Sequence, residues 1–476
     1  MYCKIKPSIL LSAILFILIA FPAWYVNIGI MLRVSILLSV PLLVCYITFF
    51  KKDCLKILHK IYKNNNVKIL ILFLLWVVCS GFILVLDNRY NLPVYLSNIL
   101  LRLFPLIVFP FFVGYAFSLN NNNSRVIKFY YCFILFMIIG GIIDLIFSLF
   151  HSDLFLRVFV SNRFLRNTIQ SKALFLGIPR IQSFFDEPSY FARFICTHLP
   201  FIYCFSNARL FKKIYINKFV LFTTPLLSWG LLIGTMSPIY LVIAIIETLI
   251  FLGYKHLKKV TTLKGSIFII IITLALWIIC LGYNSIDFSE TFIQRIRDTL
   301  THLTSFEDFI KAEPSLANRI INYINMFIIF KKNALYGVGF GNIVQILHHQ
   351  FLSSPVPLTA EIIRWITTPD NNTINYAIFW NILAETGLIG FLSLYTFFIS
   401  CIINLRKLYI KKYCNFVKSL YYTIILIVIL TLYDSNLTDC FIWGVLGISL
   451  GIIDKYNKYR LLRKCRKDIF SEKSNS

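Results

Sequence analysis

Long apolar segments alternate with short polar ones along most of this 476-residue chain. A helix needs roughly 20 apolar residues to cross a hydrocarbon core about 30 Å thick. Because lipid offers no hydrogen bonds, each segment must pair its own backbone groups, so these segments are predicted to be helices. The pattern predicts twelve membrane-spanning helices, at 8–26, 29–50, 67–86, 93–118, 126–150, 188–206, 217–234, 237–254, 265–283, 374–403, 419–434 and 438–453.

Two polar interruptions, 151–187 and 284–373, are much longer than the other connections. Lysine and arginine accumulate in the cytoplasmic loops of membrane proteins. Every second connection is rich in these residues, as in the segments Lys51–Lys68, Arg209–Lys218 and Arg406–Lys418. We therefore expect cytoplasmic termini and place both long loops on the opposite, periplasmic face. The fold class that follows is an all-α polytopic membrane protein whose single domain covers residues 1–476.

Composition agrees with this class, because 58% of the residues are hydrophobic and the mean hydropathy is +0.76. The net charge of +26 would suggest a nucleic-acid partner in a soluble protein. Here the basic residues lie mainly in short loops, so no nucleic acid is expected. The two long loops contain no cysteine, and His348 and His349 lack further ligands at metal-binding spacing. We expect neither a metal site nor a cofactor.

Charged residues at the borders of the predicted spans are the first candidates for chemistry. Arg180 precedes the sequence Asp186-Glu187-Pro188-Ser189, where a predicted span begins. An acid and a proline also suit an ordinary helix start. That explanation does not cover Arg180, nor Arg193 about one turn inside the span, where a cation is costly unless it faces a polar cavity.

A second group of candidates follows the longer loop. Glu385 lies in an apolar span, where a carboxylate costs about 2.5 kcal/mol or more and indicates a function. Gly387 and Gly390 in the same span are typical of close helix packing. The sequence Gly337-Val-Gly-Phe-Gly-Asn342 lacks the features of a phosphate-binding loop and predicts a turn. Apolar residues at helical spacing in 315–332 predict an amphipathic helix at the membrane surface.

Four further charged residues fall within spans: Arg33, Arg102, Asp144 and Glu247. The predicted topology places Arg33, Arg102 and Asp144 near the outer face. A role at a polar site is one explanation for the two arginines. The other is that their long side chains reach from the span to the interface.

Three segments resemble the superfamily of O-antigen polymerases (Wzy-type) and O-antigen ligases. They are Arg180–Phe191, Arg319 with the turn Gly337–Asn342, and Asp370–Asn375 leading into Ala384–Gly390. The resemblance covers roughly residues 180–395. Ligases have a His-Asn pair where this chain reads Asn371-Asn372, which favours the polymerases. The spacing from Arg166 to Gly177 fits an Arg-x10-Gly pattern of polymerase loops, but one such match is expected by chance.

The resemblance implies a glycosyltransferase of the bacterial inner membrane that polymerises undecaprenyl-pyrophosphate-linked O-antigen repeat units at the periplasmic face, in lipopolysaccharide biosynthesis. Arginine can bind a pyrophosphate leaving group through paired donors without a metal. The residues implied for pyrophosphate or glycan binding are Arg180, Arg193, Arg319, Arg102, Arg166, Asn342 and Asn372. Glu187 is the first candidate for the base that accepts the acceptor hydroxyl proton, and Glu385 is the second.

The partners implied by the resemblance are the lipid-linked oligosaccharide, membrane lipid, a chain-length regulator and a flippase. An O-antigen ligase, which transfers glycan to lipid A-core, remains an alternative. A flippase or other transporter is the alternative from a different class. Transporters tend to have repeated halves and short loops, whereas this chain has no evident repeat and one very long loop.

Overall fold

A computed structural model of the protein describes fourteen stretches of the chain, separated by gaps. They are residues 6–20, 25–27, 31–150, 174–175, 178–179, 181–185, 187–206, 218–235, 237, 240–248, 314–367, 378–410, 415–432 and 439–474. The predicted span 265–283 and most of the loop 151–187 lie outside the described residues. The same holds for three predicted site residues, Arg166, Arg180 and Asn372.

The described residues of the first third of the chain are mostly helical and include one short hairpin. Antiparallel strands β1 (Tyr25–Asn27) and β2 (Met31–Arg33) form that hairpin. The helices are α1 (Pro7–Ala20), α2 (Val34–Phe49), α3 (Lys51–Lys63), α4 (Asn65–Leu86), α5 (Leu92–Asn98), a π-helical stretch (Ile99–Val108), α6 (Phe109–Asn120) and α7 (Asn123–Leu149).

The remaining described residues are mostly helical. They include a second antiparallel hairpin, whose strands β3 (Leu174–Phe175) and β4 (Ile178–Pro179) have two residues each. The helices are α8 (Pro188–Ser206), α9 (Lys218–Gly234), α10 (Pro314–Lys332), α11 (Ile343–Leu352), α12 (Ala360–Thr367), α13 (Ile378–Ile410), α14 (Asn415–Leu430) and α15 (Cys440–Ser474). Residues 240–248 are helical as well.

Four helical segments in the described part of the chain are long and apolar enough to cross a membrane. They are Asn65–Leu86, Leu92–Asn120, Asn123–Leu149 and Ile378–Ile410. A fifth span results if α2 and α3, which meet at an angle of 98°, count as one. The prediction of an all-α chain with several helices apolar and long enough to span a membrane is confirmed, and every predicted span that falls on described residues contains a helix. The number of twelve spans and their topology stay predictions.

Small residues allow the helices to pack closely. A Cβ atom on Gly447 of α15 would lie 2.2 Å from the carbonyl oxygen of Phe111 in α6. One on Gly114 of α6 would lie 2.4 Å from the carbonyl oxygen of Gly444. Backbone therefore touches backbone along this pair. Helix α13 packs on α4 and α14, and α8 packs between α9 and α14.

The predicted amphipathic helix in 315–332 is present as α10. Its buried residues Ile321, Met326 and Ile329 belong to an apolar cluster with Val338 and with residues of α11 and α12. Helix α10 also packs against α13. It therefore anchors the chain that leads into the glycine turn, while its location at a membrane surface stays a prediction.

Candidate active site at a broken helix

Helix α13 is broken at Gly387. This residue has φ 65° and ψ −171°, so it is not helical, and helix continues on both sides of it. A positive φ suits glycine because it has no Cβ atom. A break in the middle of a helix leaves backbone N–H and C=O groups without their usual partners. In an apolar environment such groups need new partners, since leaving them unpaired is costly.

The glycine turn supplies those partners. The amide of Val338 donates to the carbonyl of Ala384 at 3.0 Å, and the amide of Gly339 donates to the carbonyl of Glu385 at 2.9 Å. On the other side of the break, the amide of Leu388 donates to the carbonyl of Ala334 at 2.8 Å. The turn therefore replaces part of the hydrogen-bond ladder that α13 lacks.

Trp76 of α4 contacts both the break in α13 and the chain that leads into the turn. Its indole Nε1–H donates to the carbonyl of Thr386 at 2.8 Å. Its ring stacks on Tyr336, the residue before the turn, with ring centroids 5.7 Å apart. The break is thus enclosed by α4, by the turn and by α13 itself.

The glycines of this turn have no room for a Cβ atom, because backbone of α13 adjoins Gly337 and the side chains of Tyr90 and Asn98 adjoin Gly339 and Gly341. Gly337, Gly339 and Gly341 all have positive φ angles, of 71°, 93° and 78°. A Cβ atom on Gly337 would lie 2.3 Å from the carbonyl oxygen of Glu385, and one on Gly387 would lie 2.3 Å from that of Leu335. The predicted turn is confirmed, and its contact surface is the broken helix.

Glu385 lies at the centre of this arrangement and is only 2% exposed. Its Oε1 accepts a hydrogen bond from the amide of Gly341 at 2.9 Å, and the backbone of Ile343 also bonds to the carboxylate. Helix α11 begins at Ile343, and Asn342 before it makes no side-chain cap. The first N–H groups of a helix need acceptors and favour negative charge. Glu385 therefore caps α11 from a different helix.

Residues between α4 and α6 form the other wall of the site. The Tyr90 hydroxyl donates to the carbonyl of Phe340 at 2.6 Å, and Asn98 Nδ2 donates to the Tyr90 oxygen at 2.8 Å. Burial raises the pKa of the Tyr90 phenol, which keeps it a neutral donor. Arg102, one turn after Asn98, is exposed and close enough to interact electrostatically with Glu385.

The structure thus brings together three of the predicted site residues, Arg102, Asn342 and Glu385. Asn342 is buried, and its Nδ2 donates to the carbonyl of Val338 at 2.9 Å, which closes the turn. Its observed role is structural. The exposed cation of Arg102 and the buried acidic group of Glu385 are the two groups at this site that could take part in a reaction.

Glu187 lies at the start of α8 and is half-buried. Its Oε2 accepts from the Ser189 hydroxyl at 2.8 Å, and its carbonyl accepts from the Tyr190 amide at 3.1 Å. The preceding chain is fixed by Asp144 of α7, whose Oδ2 accepts from the amides of Gln182 and Ser183 at 2.8 and 2.9 Å. Asp144 therefore positions the segment that carries Glu187.

Arg193 forms an ion pair with Asp439, the residue before α15. Both residues are buried, and the guanidinium lies over the rings of Tyr190 and Phe441 at 5.0 and 5.6 Å. A small cavity with room for about one water molecule adjoins Arg193 and Thr197. A phosphate that reached Arg193 would compete with Asp439. Arg319, the remaining predicted arginine, is half-buried on α10.

Sequence reasoning missed Tyr90, Asn98, Trp76 and Asp439. Asn98 and Arg102 are four residues apart, which places them on one helix face, and this spacing was an available signal. No known protein family matches the chain, and no characterised protein matches it significantly. The functional assignment therefore rests on the motifs and on the geometry above.

Proposed function

We propose that the protein is a membrane glycosyltransferase of the Wzy type, which polymerises O-antigen repeat units linked to undecaprenyl pyrophosphate. The observation that carries this proposal is the buried side chain of Glu385, held at the break in α13, with the exposed cation of Arg102 close enough to interact with it electrostatically. A cation near the reacting atoms stabilises the charge that develops on a pyrophosphate leaving group. No nucleotide-binding domain is needed, because the lipid carrier supplies the activated sugar.

In the proposed reaction, the bond between the anomeric carbon and the pyrophosphate oxygen breaks. A hydroxyl oxygen of the acceptor glycan forms the new bond to that carbon, and its proton passes to a carboxylate. The carrier pyrophosphate leaves with the bonding electron pair and is stabilised by arginines. We assign this role to Arg102, Arg180 and Arg319 first, with Arg166 and Arg193 as further candidates.

The two carboxylates receive different roles in this proposal. Glu385 already accepts hydrogen bonds from the backbone of the turn, so we assign it to holding the site in place. Glu187 is half-buried directly before α8, with its carboxylate bonded to the Ser189 hydroxyl. A hydroxyl partner is more easily exchanged for a substrate hydroxyl than a buried backbone amide. Glu187 is therefore the proposed base.

The break in α13 also bears on the transporter alternative. Broken helices occur in transporters, where the freed backbone groups bind the substrate or ion. Here the carbonyls of Ala384, Glu385 and Thr386 are already bonded to Val338, Gly339 and Trp76. This arrangement supports a rigid site rather than a transport site.

The proposed topology has twelve spans and cytoplasmic termini in a bacterial inner membrane. The glycine turn, α10, α11 and α12 lie on the periplasmic side together with the loop 151–187. The distribution of lysine and arginine among the short loops supports this orientation. A chain-length regulator is the proposed protein partner, because the length of the polymer must be controlled.

Electrophoresis of lipopolysaccharide from a strain that lacks the protein tests the proposal. A missing polymerase leaves the lipid A-core capped with a single repeat unit. A missing ligase leaves long polymer on the lipid carrier and uncapped core, and this result would overturn the proposal. Complementation with Arg319→Ala or Glu187→Gln is expected to leave the single-repeat pattern, with the variant protein present in the membrane at normal abundance.

A further inference from the structure

Helix α3 differs in character from the helices around it. It follows α2 after a bend of 98°. If α2 crosses the membrane, as its apolar sequence predicts, α3 lies nearly in the membrane plane. It carries one acidic residue, Asp53, and five lysines: Lys51, Lys52, Lys56, Lys60 and Lys63. Such a charged helix cannot itself be a membrane span.

The apolar residues of α3 form two separate faces. Cys54 and Ile57 are buried, and they fix the helix against its neighbours α2 and α4. Leu55, Leu58 and Tyr62 are exposed by 56%, 47% and 72%. Their spacing of i, i+3 and i+7 places them on one stripe. This stripe is a surface that the described part of the protein leaves uncovered.

We propose that α3 binds an anionic lipid leaflet, with the stripe of Leu55, Leu58 and Tyr62 among the acyl chains. The lysines then lie beside the headgroups and bind their phosphates. A helix with one apolar stripe and a lysine-rich polar face is typical of interfacial binding. Charge selects anionic lipid, because each lysine near a negative surface favours binding by roughly fivefold.

The observations favour lipid over a second copy of the chain. The stripe contains three side chains and is flanked by lysines, so two copies of α3 would bring like charges together. The bend places the helix where headgroups lie if α2 enters the membrane. Lys68 at the start of α4 lies over the Tyr62 ring at 5.5 Å and adds a cation beside the stripe.

The test uses the full-length protein in nanodiscs of phosphatidylcholine, with and without phosphatidylglycerol. An environment-sensitive fluorescent amino acid replaces Leu58 on the stripe or, in a second variant, Lys56 on the polar face. We expect the label at 58 to shift its emission to the blue in both discs and further in the anionic ones, and the extra shift to vanish at high salt. The label at 56 is expected to stay water-like.

Charge-matched variants separate α3 from basic residues elsewhere. Replacing Lys52, Lys56, Lys60 and Lys63 by glutamine is expected to abolish the extra shift of the label at 58. Replacing Arg125, Lys128, Arg406 and Lys407 by glutamine removes the same charge from exposed sites elsewhere and is expected to preserve it.

Equal shifts in both kinds of disc would overturn the proposed selectivity for anionic lipid. A water-like label at 58 in both discs would overturn lipid binding altogether. A blue shift that requires two copies in one disc would assign the stripe to a dimer instead. Lipid binding by α3 is independent of the proposed reaction, so none of these outcomes tests the proposed reaction.

Discussion

Replacement of Gly337 by alanine tests the contact between the glycine turn and the broken helix. Gly337 has φ 71°, and an added Cβ atom would lie 2.3 Å from the carbonyl oxygen of Glu385 and 2.6 Å from the amide nitrogen of Gly387. These neighbours are backbone atoms, which cannot rotate away as a flexible side chain can. The turn must therefore move away from α13.

The cost has three sources. A left-handed conformation costs an alanine about 1–2 kcal/mol. Relief of the steric overlap costs about 1–3 kcal/mol. Moving the turn away also weakens the bonds from Val338 and Gly339 to α13, each worth about 1 kcal/mol. The expected loss of stability is therefore about 4 kcal/mol, large compared with the effect of most single substitutions.

Gly230 of α9 provides the matched control. An alanine Cβ there would meet nothing within 4 Å, and the residue lies inside a regular helix. Alanine is favoured over glycine in a helix by about 0.5–1 kcal/mol, so Gly230→Ala is expected to be neutral or stabilising. The two variants are compared by heating the purified proteins in detergent and measuring the fraction that stays folded by size-exclusion chromatography.

Gly337→Ala is expected to lower the unfolding midpoint by several degrees and to reduce polymer formation. If its midpoint equalled that of Gly230→Ala, the turn would not be held against α13, and the description of the site would be wrong.

Three further predictions follow from other contacts. Glu385→Ala leaves the amides at the start of α11 without their acceptor and is expected to lower the free energy of unfolding by about 1–3 kcal/mol. Glu385→Gln retains an acceptor oxygen and is expected to lower it less. Thermal unfolding measures both variants. Arg193→Ala leaves Asp439 buried without its partner and is expected to cost about 3–5 kcal/mol, part of which Asp439→Asn restores in a double-mutant cycle. Burial lowers the pKa of Lys455 from 10.5 to about 8, so the unfolded chain holds the Lys455 proton more tightly than the folded protein does. The free energy of unfolding is therefore expected to rise between pH 8 and 10.5. This rise is expected to disappear in Lys455→Met.

The helical framework could be predicted because its signal is local. Apolar runs of roughly 20 residues need no knowledge of their neighbours to be recognised as helices. The glycine turn was predictable for the same reason, since three glycines at alternate positions disfavour regular structure. Charge within a span also singled out Glu385, which is buried and bonded to the turn, while its role in a reaction stays a prediction.

The break in α13 could not be predicted, because its cause lies elsewhere in the sequence. Gly387 in an apolar run is typical of close packing within a continuous helix. Its observed conformation depends on contacts with the turn and with Trp76, which is 310 residues from Thr386 in the chain. The Tyr90 bond to Phe340 spans 250 residues. Such pairings leave no periodic signal in a single sequence.

The role of Arg193 illustrates the same limit. A cation inside a span predicted a polar cavity, and the structure shows a buried carboxylate partner, Asp439, with only a small cavity beside the pair. The residue types were informative, since a buried cation does need a partner. Which partner it takes depends on the packing of α8 against the start of α15.

Reconstitution of the purified protein with an undecaprenyl-pyrophosphate-linked oligosaccharide tests the proposed function most directly. The proposed polymerase activity predicts a ladder of lipid-linked products of two or more repeat units, formed without nucleotide and without lipid A-core. It further predicts that Glu187→Gln removes the ladder while the protein stays folded by size-exclusion chromatography. A folded wild-type protein that forms no product longer than one repeat, or that transfers glycan only to added lipid A-core, would contradict it.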